Sequence, residues 1–124
     1  MAEDAQQNAP QDAAQQDASL DMEEVCFQII ANVGSAKSQY IEAISKAQVG
    51  DFDGARAMIE SGSKDFLNGH NVHLQLLTND AGGRSVKFSM LLMHAEDQLM
   101  EAETFRVVAE NFISVYERMG KLEQ

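Results

Sequence analysis

His94 and Asp97 are the two side chains in this sequence most able to do chemistry. They lie in Leu91-Leu92-Met93-His94-Ala95-Glu96-Asp97-Gln98-Leu99-Met100, a strongly apolar run. Residues i and i+3 share one side of a helix. A titratable pair on an apolar helix must be partnered, bound to metal, or used in a reaction. On pattern alone a satisfied core histidine is the commoner outcome, because structural ion pairs also perturb titratable groups. The functional alternatives are a metal ligand or a group used in a reaction. His70 and His73 form a second i, i+3 pair. They read more simply as surface or packing histidines than as a metal or phosphate site. Glu101, Glu103 and Glu110 read as a solvated face. Met58, Met90, Met93, Met100 and Met119 read as core or interface filler.

The elements that must position this pair are helical. The chain has 124 residues with one Pro and no Trp, a length that suits one core. It is rich in the helix formers Ala, Met, Gln and Glu. Residues 1–19 contain no large apolar side chain after Met1. Such a segment cannot offset its ordering entropy by burial, so a disordered acidic tail is expected there, with a folded domain over 20–124. Order is expected to begin near Leu20 or Asp21, with Ser19 or Asp21 as cap. Val25, Ile29, Ile30, Val33, Ala36, Tyr40, Ile41, Ile44 and Ala47 recur at helical spacing. Gly34 interrupts that pattern and suggests close packing, a kink or a backbone-lined pocket. Gly50 is placed to end the helix as a left-handed cap.

An aspartate of Asp51-Phe52-Asp53 can cap a second helix, whose apolar surface runs from Ala55 to Leu77. Residues 78–84 read as a loop, and Ser85 as the cap of a third helix reaching Met119 or Gly120. Short connections make consecutive helices antiparallel neighbours, so the expected architecture is an all-α, up-down-up three-helix bundle.

The third helix is apolar on two sides. One stripe holds Phe88, Leu91, Ala95, Leu99, Ala102, Phe105, Ala109, Phe112, Tyr116 and Met119. The opposite one holds Val86, Met90, Met93, Asp97, Met100, Thr104, Val108 and Val115. One bundle core cannot bury both, which implies self-association around this helix. Asp97 then sits within an apolar seam, with His94 at its edge, about 60° round the helix. At an axis Asp97 would meet its own copies, and like charges at close range need a shared proton or a cation such as Mg²⁺. Alternatively Asp97 points off-axis and pairs with a basic residue.

Charge and cysteine usage narrow the partners. A net charge of -11 argues against nucleic acid and anionic membrane surfaces. Cys26 is the single cysteine, which rules out an internal disulfide and fits a reducing compartment; its apolar surroundings make it a small core residue. No apolar run approaches the roughly 18 residues of a membrane span, and the N-terminus does not read as a signal peptide. A cytoplasmic location is expected.

Three segments carry a family resemblance. They are Ile29-Ile30-Ala31-Asn32-Val33-Gly34-Ser35-Ala36-Lys37-Ser38 followed by Glu42-Ala43-Ile44; Gly50-Asp51-Phe52 with Ala55; and Met93-His94-Ala95-Glu96-Asp97-Gln98-Leu99-Met100. From about Glu23 to Lys121 the chain resembles the lactose/cellobiose-type enzyme IIA component of the bacterial sugar phosphotransferase system. The family form of the third segment is His, a small residue, Gln, Asp, His, Leu, Met. The resemblance implies a homotrimer of three-helix protomers. It implies that His94 accepts a phosphoryl group from the phosphocarrier HPr and passes it to a cysteine of the IIB component. It places Asp97 at the trimer axis, where Mg²⁺ can bind.

This chain departs from the family pattern at several places. Gln98 stands where the family has a second histidine, and Glu96 replaces a Gln. His70 matches a family histidine, but the Gln-Thr that follows it in the family is replaced by His73-Leu74. Gln98 can still donate a hydrogen bond, to phosphate or to a partner, but cannot carry charge. Ala95 is slightly more similar to cellobiose/chitobiose-type members than to lactose-type ones. The sugar itself meets the membrane IIC component and leaves no mark on a IIA chain. The competing reading is a non-catalytic trimeric helical interaction module. A carboxylate-metal bundle enzyme would want Glu-x-x-His pairs on two helices, which the sequence lacks.

Overall fold

The computed structural model describes residues 9–84 and 86–124, with side chains from Asp21 onward. Three helices follow one another: α1 Ala9–Gln48, α2 Phe52–Ala81 and α3 Met90–Leu122. Contacts between them fix the topology. Ser35 and Gln39 of α1 both reach Asp65 of α2, and Tyr40 faces Ser63, so α1 and α2 are antiparallel. Arg56 of α2 pairs with Glu117 of α3, and His73 with Glu96, again antiparallel. Lys37 meets Glu101 and Gln48 meets Tyr116, so α1 and α3 run parallel. The expected up-down-up bundle is therefore observed.

α1 begins at Ala9, earlier than the expected Leu20 or Asp21. Of the expected tail over 1–19, residues 1–8 lie outside the described residues. The Ala and Gln of the rest continue the helix, because adding residues to a packed helix avoids the cost of a new nucleus. At its other end Gly50 takes φ 84°, as expected. Its N–H bonds Ala47 O at 3.1 Å and the next N–H, of Asp51, bonds Lys46 O at 2.9 Å. That paired closure is a Schellman motif. Asp51 then caps α2, its Oδ1 accepting from Gly54 N at 2.9 Å.

The expected loop over 78–84 and the cap at Ser85 both shift. α2 continues to Ala81 and closes with a second Schellman motif at Gly83, φ 82°. Ser85 lies outside the described residues. The cap is Ser89, whose Oγ accepts from Leu92 N at 3.1 Å. Val86 and Phe88 therefore precede α3, and Phe88 is 78% exposed.

The core divides along the bundle. One cluster joins Cys26, Ile29 and Val33 to Leu76, Leu92, Ala95, Leu99 and Ala102. The other joins Ala36, Tyr40, Ala43 and Ala47 to Ala55, Ile59, Ala109 and Ile113. Gly34 makes no close helix contact within the chain, for nothing lies within 4 Å of a Cβ placed there. The close approach is on α2 instead: a Cβ on Gly62 would stand 2.7 Å from Tyr40 Cε1 and 3.1 Å from Ala36 O. Leu92 and Ile113 are buried on α3, whereas Phe112 and Met119 of the expected inner stripe stay exposed. The opposite stripe is uncovered in the protomer, with Met90, Met93, Met100, Val108 and Val115 all exposed. No described helix is long and apolar enough to cross a membrane.

Candidate active site

The α2–α3 junction brings His94 into an open cleft. Ser89 fixes where α3 starts, and the buried Leu92, Ala95 and Leu99 fix its rotation against the core. Positions 93, 94, 97 and 100 are then turned outward, and Met93, His94, Asp97 and Met100 are all exposed. Together with Leu76, Leu77 and Asp80 of α2, the pre-helix residues Val86 and Phe88, and Met90, Leu92 and Glu96 of α3, they line a cleft of about 700 Å³. Its walls are mostly hydrocarbon and thioether. Its titratable groups are His94 and three carboxylates: Asp80, Glu96 and Asp97.

The pair singled out in the sequence is thus in one cleft, and the satisfied-core reading of His94 is wrong. His94 is solvent-exposed, and no protein hydrogen bond to its ring is formed among the described residues. Asp97 is likewise exposed and forms no ion pair with a basic residue of its own chain among the described residues. Gln98 is half-buried and directed elsewhere. Its Nε2 donates to Glu101 Oε2 at 3.5 Å, and Glu101 is itself paired with Lys37 of α1. Gln98 is absent from the described lining of the cleft.

His70 and His73 separate. His70 is half-buried and tilted against Phe66, ring centroids 5.9 Å apart. His73 is buried, 8% exposed. Its Nε2 lies 2.5 Å from Glu96 Oε1, tying α2 to the wall of the cleft. Sequence reasoning passed over this contact because the partners are on different helices. The available signal was that both residues differ from the Gln that the family resemblance implies at those positions. Cys26 lies nearby in the core, and burial first, then the charge of Glu96, push its thiol pKa up. An unreactive core thiol follows.

No three or more His, Cys, Asp or Glu side chains come together among the described residues of one chain to hold a metal ion. A single protomer offers Asp97 as one carboxylate, and a hard cation requires several oxygens.

The sequence matches the family model for the lactose/cellobiose-specific IIA subunit of the phosphotransferase system over residues 24–117. It is 34% identical over 99 residues to the lichenan-specific phosphotransferase enzyme IIA component of Bacillus subtilis, covering 80% of this chain and 90% of that one. The fold is similar to the crystal structure of the cellobiose-specific enzyme IIA of Bacillus anthracis, with TM-score 0.77 and 31% identity over 79% of this chain and 90% of that one. It is also similar to the chitobiose IIA in the solution structure of the Escherichia coli IIA(chitobiose)–HPr complex, with TM-score 0.70 and 33% identity over 79% and 95% of the two chains.

Proposed function

The chain belongs to the lactose/cellobiose-specific IIA subunit family of the sugar phosphotransferase system, and on that basis we propose that His94 is its phosphate carrier. In this reading His94 takes a phosphoryl group from phospho-HPr and hands it to a cysteine of a IIB component, during uptake of a disaccharide. The observation that carries it is the position of His94: an exposed imidazole, free of protein partners among the described residues, on the lip of an apolar cleft. A IIA relative has been solved in complex with HPr, which supports HPr as the donor. In this reading the protein works in the cytoplasm, a compartment that the single thiol of Cys26 suits.

The chemistry asks for position rather than covalent machinery. A ring nitrogen lone pair of His94 forms a bond to phosphorus while the donor's bond to phosphorus breaks, the donor keeping that electron pair. In the second step the thiolate of IIB forms the new bond, and the P–N electron pair returns to the imidazole. Met90, Met93 and Met100 provide a soft, adaptable rim for two successive partners. Their hydrocarbon also limits water attack on the phosphorylated ring.

Three protomers would cover the exposed stripe of Met90, Met93, Met100, Val108 and Val115 by packing their α3 helices together. Asp97 lies on the same side of α3 and would come from each copy toward the axis. Three exposed carboxylates without a basic partner of their own chain match the oxygen donors that Mg²⁺ prefers. Mg²⁺ bound there would offset the repulsion between the copies of Asp97. His94 keeps its access to HPr and IIB, because it stands at the seam's edge.

The relay is tested by reconstitution. With phosphoenolpyruvate, enzyme I, HPr and a cognate IIB, label should reach the IIB cysteine only when this chain is present. Label on IIB at the same rate without it would contradict the relay and favour a scaffold role.

A further inference from the structure

A carboxylate beside a phosphate acceptor needs restraint, and a buried imidazole needs a partner. The His73–Glu96 contact meets both needs. His73 is buried in α2, and its Nε2 lies 2.5 Å from Glu96 Oε1. With the carboxylate ionised, Nε2 is the donor. The Glu96 side chain is only half covered, at 45% exposure, and lines the same cleft as His94. The other acids there are Asp80 and Asp97, and no described lining residue is a Lys or Arg. A phosphoryl group on His94 brings about two further negative charges into this cleft. A free carboxylate swinging beside it would oppose its arrival, the more so where apolar walls lower the dielectric. Glu96 lines the cleft, and the contact with His73 fixes its carboxylate on the α2 side of that wall instead of leaving it free.

Sequence departures agree with this. The family resemblance implies Gln at both positions, whereas this chain carries His73 and Glu96. Two neutral amides need no restraint. An acid at 96 does, and histidine at 73 supplies it. We infer that His73 is a positioning residue for phosphoryl acceptance: it holds the Glu96 carboxylate against α2 and keeps its charge away from the phosphate on His94. This inference rests on His94 being the phosphate carrier.

The test is a mutant cycle read as the rate of label acceptance on His94, at fixed free Mg²⁺. Two donors are used: phospho-HPr, and phosphoramidate, which needs no partner surface and releases ammonia. His73→Leu removes the donor while filling the space, and acceptance should fall about fivefold to tenfold with both donors at low salt. The deficit should shrink as ionic strength rises, because a misplaced charge is screened and a packing defect is not. The double variant should accept label at the rate of Glu96→Gln alone, since no charge is left to restrain. His73→Gln keeps an N–H donor and should also be rescued. If His73→Leu does not fold, His73→Met takes its place in the cycle. A double variant as slow as His73→Leu would show His73 to be packing only and overturn the inference. So would equal rates for wild type and His73→Leu. Wild type that takes no label from either donor would instead overturn the His94 reading itself.

Discussion

Alanine in place of Gly34 and of Gly62 should move stability in opposite directions, although both glycines lie inside helices. Each replacement removes unfolded-chain freedom and raises helix propensity by about 1 kcal/mol. At Gly34 nothing lies within 4 Å of the added Cβ, so that gain appears whole. At Gly62 the new methyl would stand 2.7 Å from Tyr40 Cε1 and 3.1 Å from the carbonyl of Ala36. Tyr40 is fully buried, and its hydroxyl faces Ser63 at 3.5 Å. The ring therefore has no room to withdraw, and α1 must move. Overpacking of this kind costs about 1–3 kcal/mol, leaving a net loss of about 0–2 kcal/mol at Gly62. The two variants should differ by about 1–3 kcal/mol. Urea unfolding followed by far-UV circular dichroism measures this, at one protomer concentration because the proposed assembly would make stability concentration-dependent. Gly62→Ala as stable as Gly34→Ala would refute the close approach of α1 and α2. Loss of stability in Gly34→Ala would show that the space beside α1 is filled in the assembled protein.

Further predictions concern the thiol and the oligomer axis. Burial and the charge of Glu96 raise the Cys26 pKa above its ordinary 9.0. The folded state therefore holds this proton more tightly than the unfolded state. The resulting stability is present below pH 9.0 and is lost as pH rises from there toward the folded value. Cys26→Ala should flatten that alkaline limb of the stability curve, and an unchanged limb would contradict the assignment. Asp97→Leu removes like charges from the proposed axis, so sedimentation should show the assembly retained or tightened and indifferent to Mg²⁺. A dissociated monomer would contradict the axial placement.

The helices were legible in the sequence because one face of each repeats at helical spacing, and because Gly50 and Asp51 write the first junction in local chemistry. The second junction was misread for a local reason. Val86 and Phe88 continue an apolar spacing that looks helical, which drew the expected cap back to Ser85. The extended chain and the bond from Leu92 N to Ser89 place the cap at Ser89 instead. Counting apolar residues also hid the α1–α2 contact, which depends on the small Gly62 and Gly69. His94 and Asp97 were found because polar groups stand out in an apolar run. Their release from the core was legible from the two-faced α3, since one bundle cannot bury both stripes. His73–Glu96 was not, because a bond between helices has no spacing in sequence.

The most direct measurement is the location of phosphate after incubation with phosphoenolpyruvate, enzyme I and HPr. Acid-labile label should appear on the wild-type chain and be absent from His94→Gln, with circular dichroism showing both folded. Label retained by folded His94→Gln would place the carrier elsewhere, with the half-buried His70 the next residue to replace.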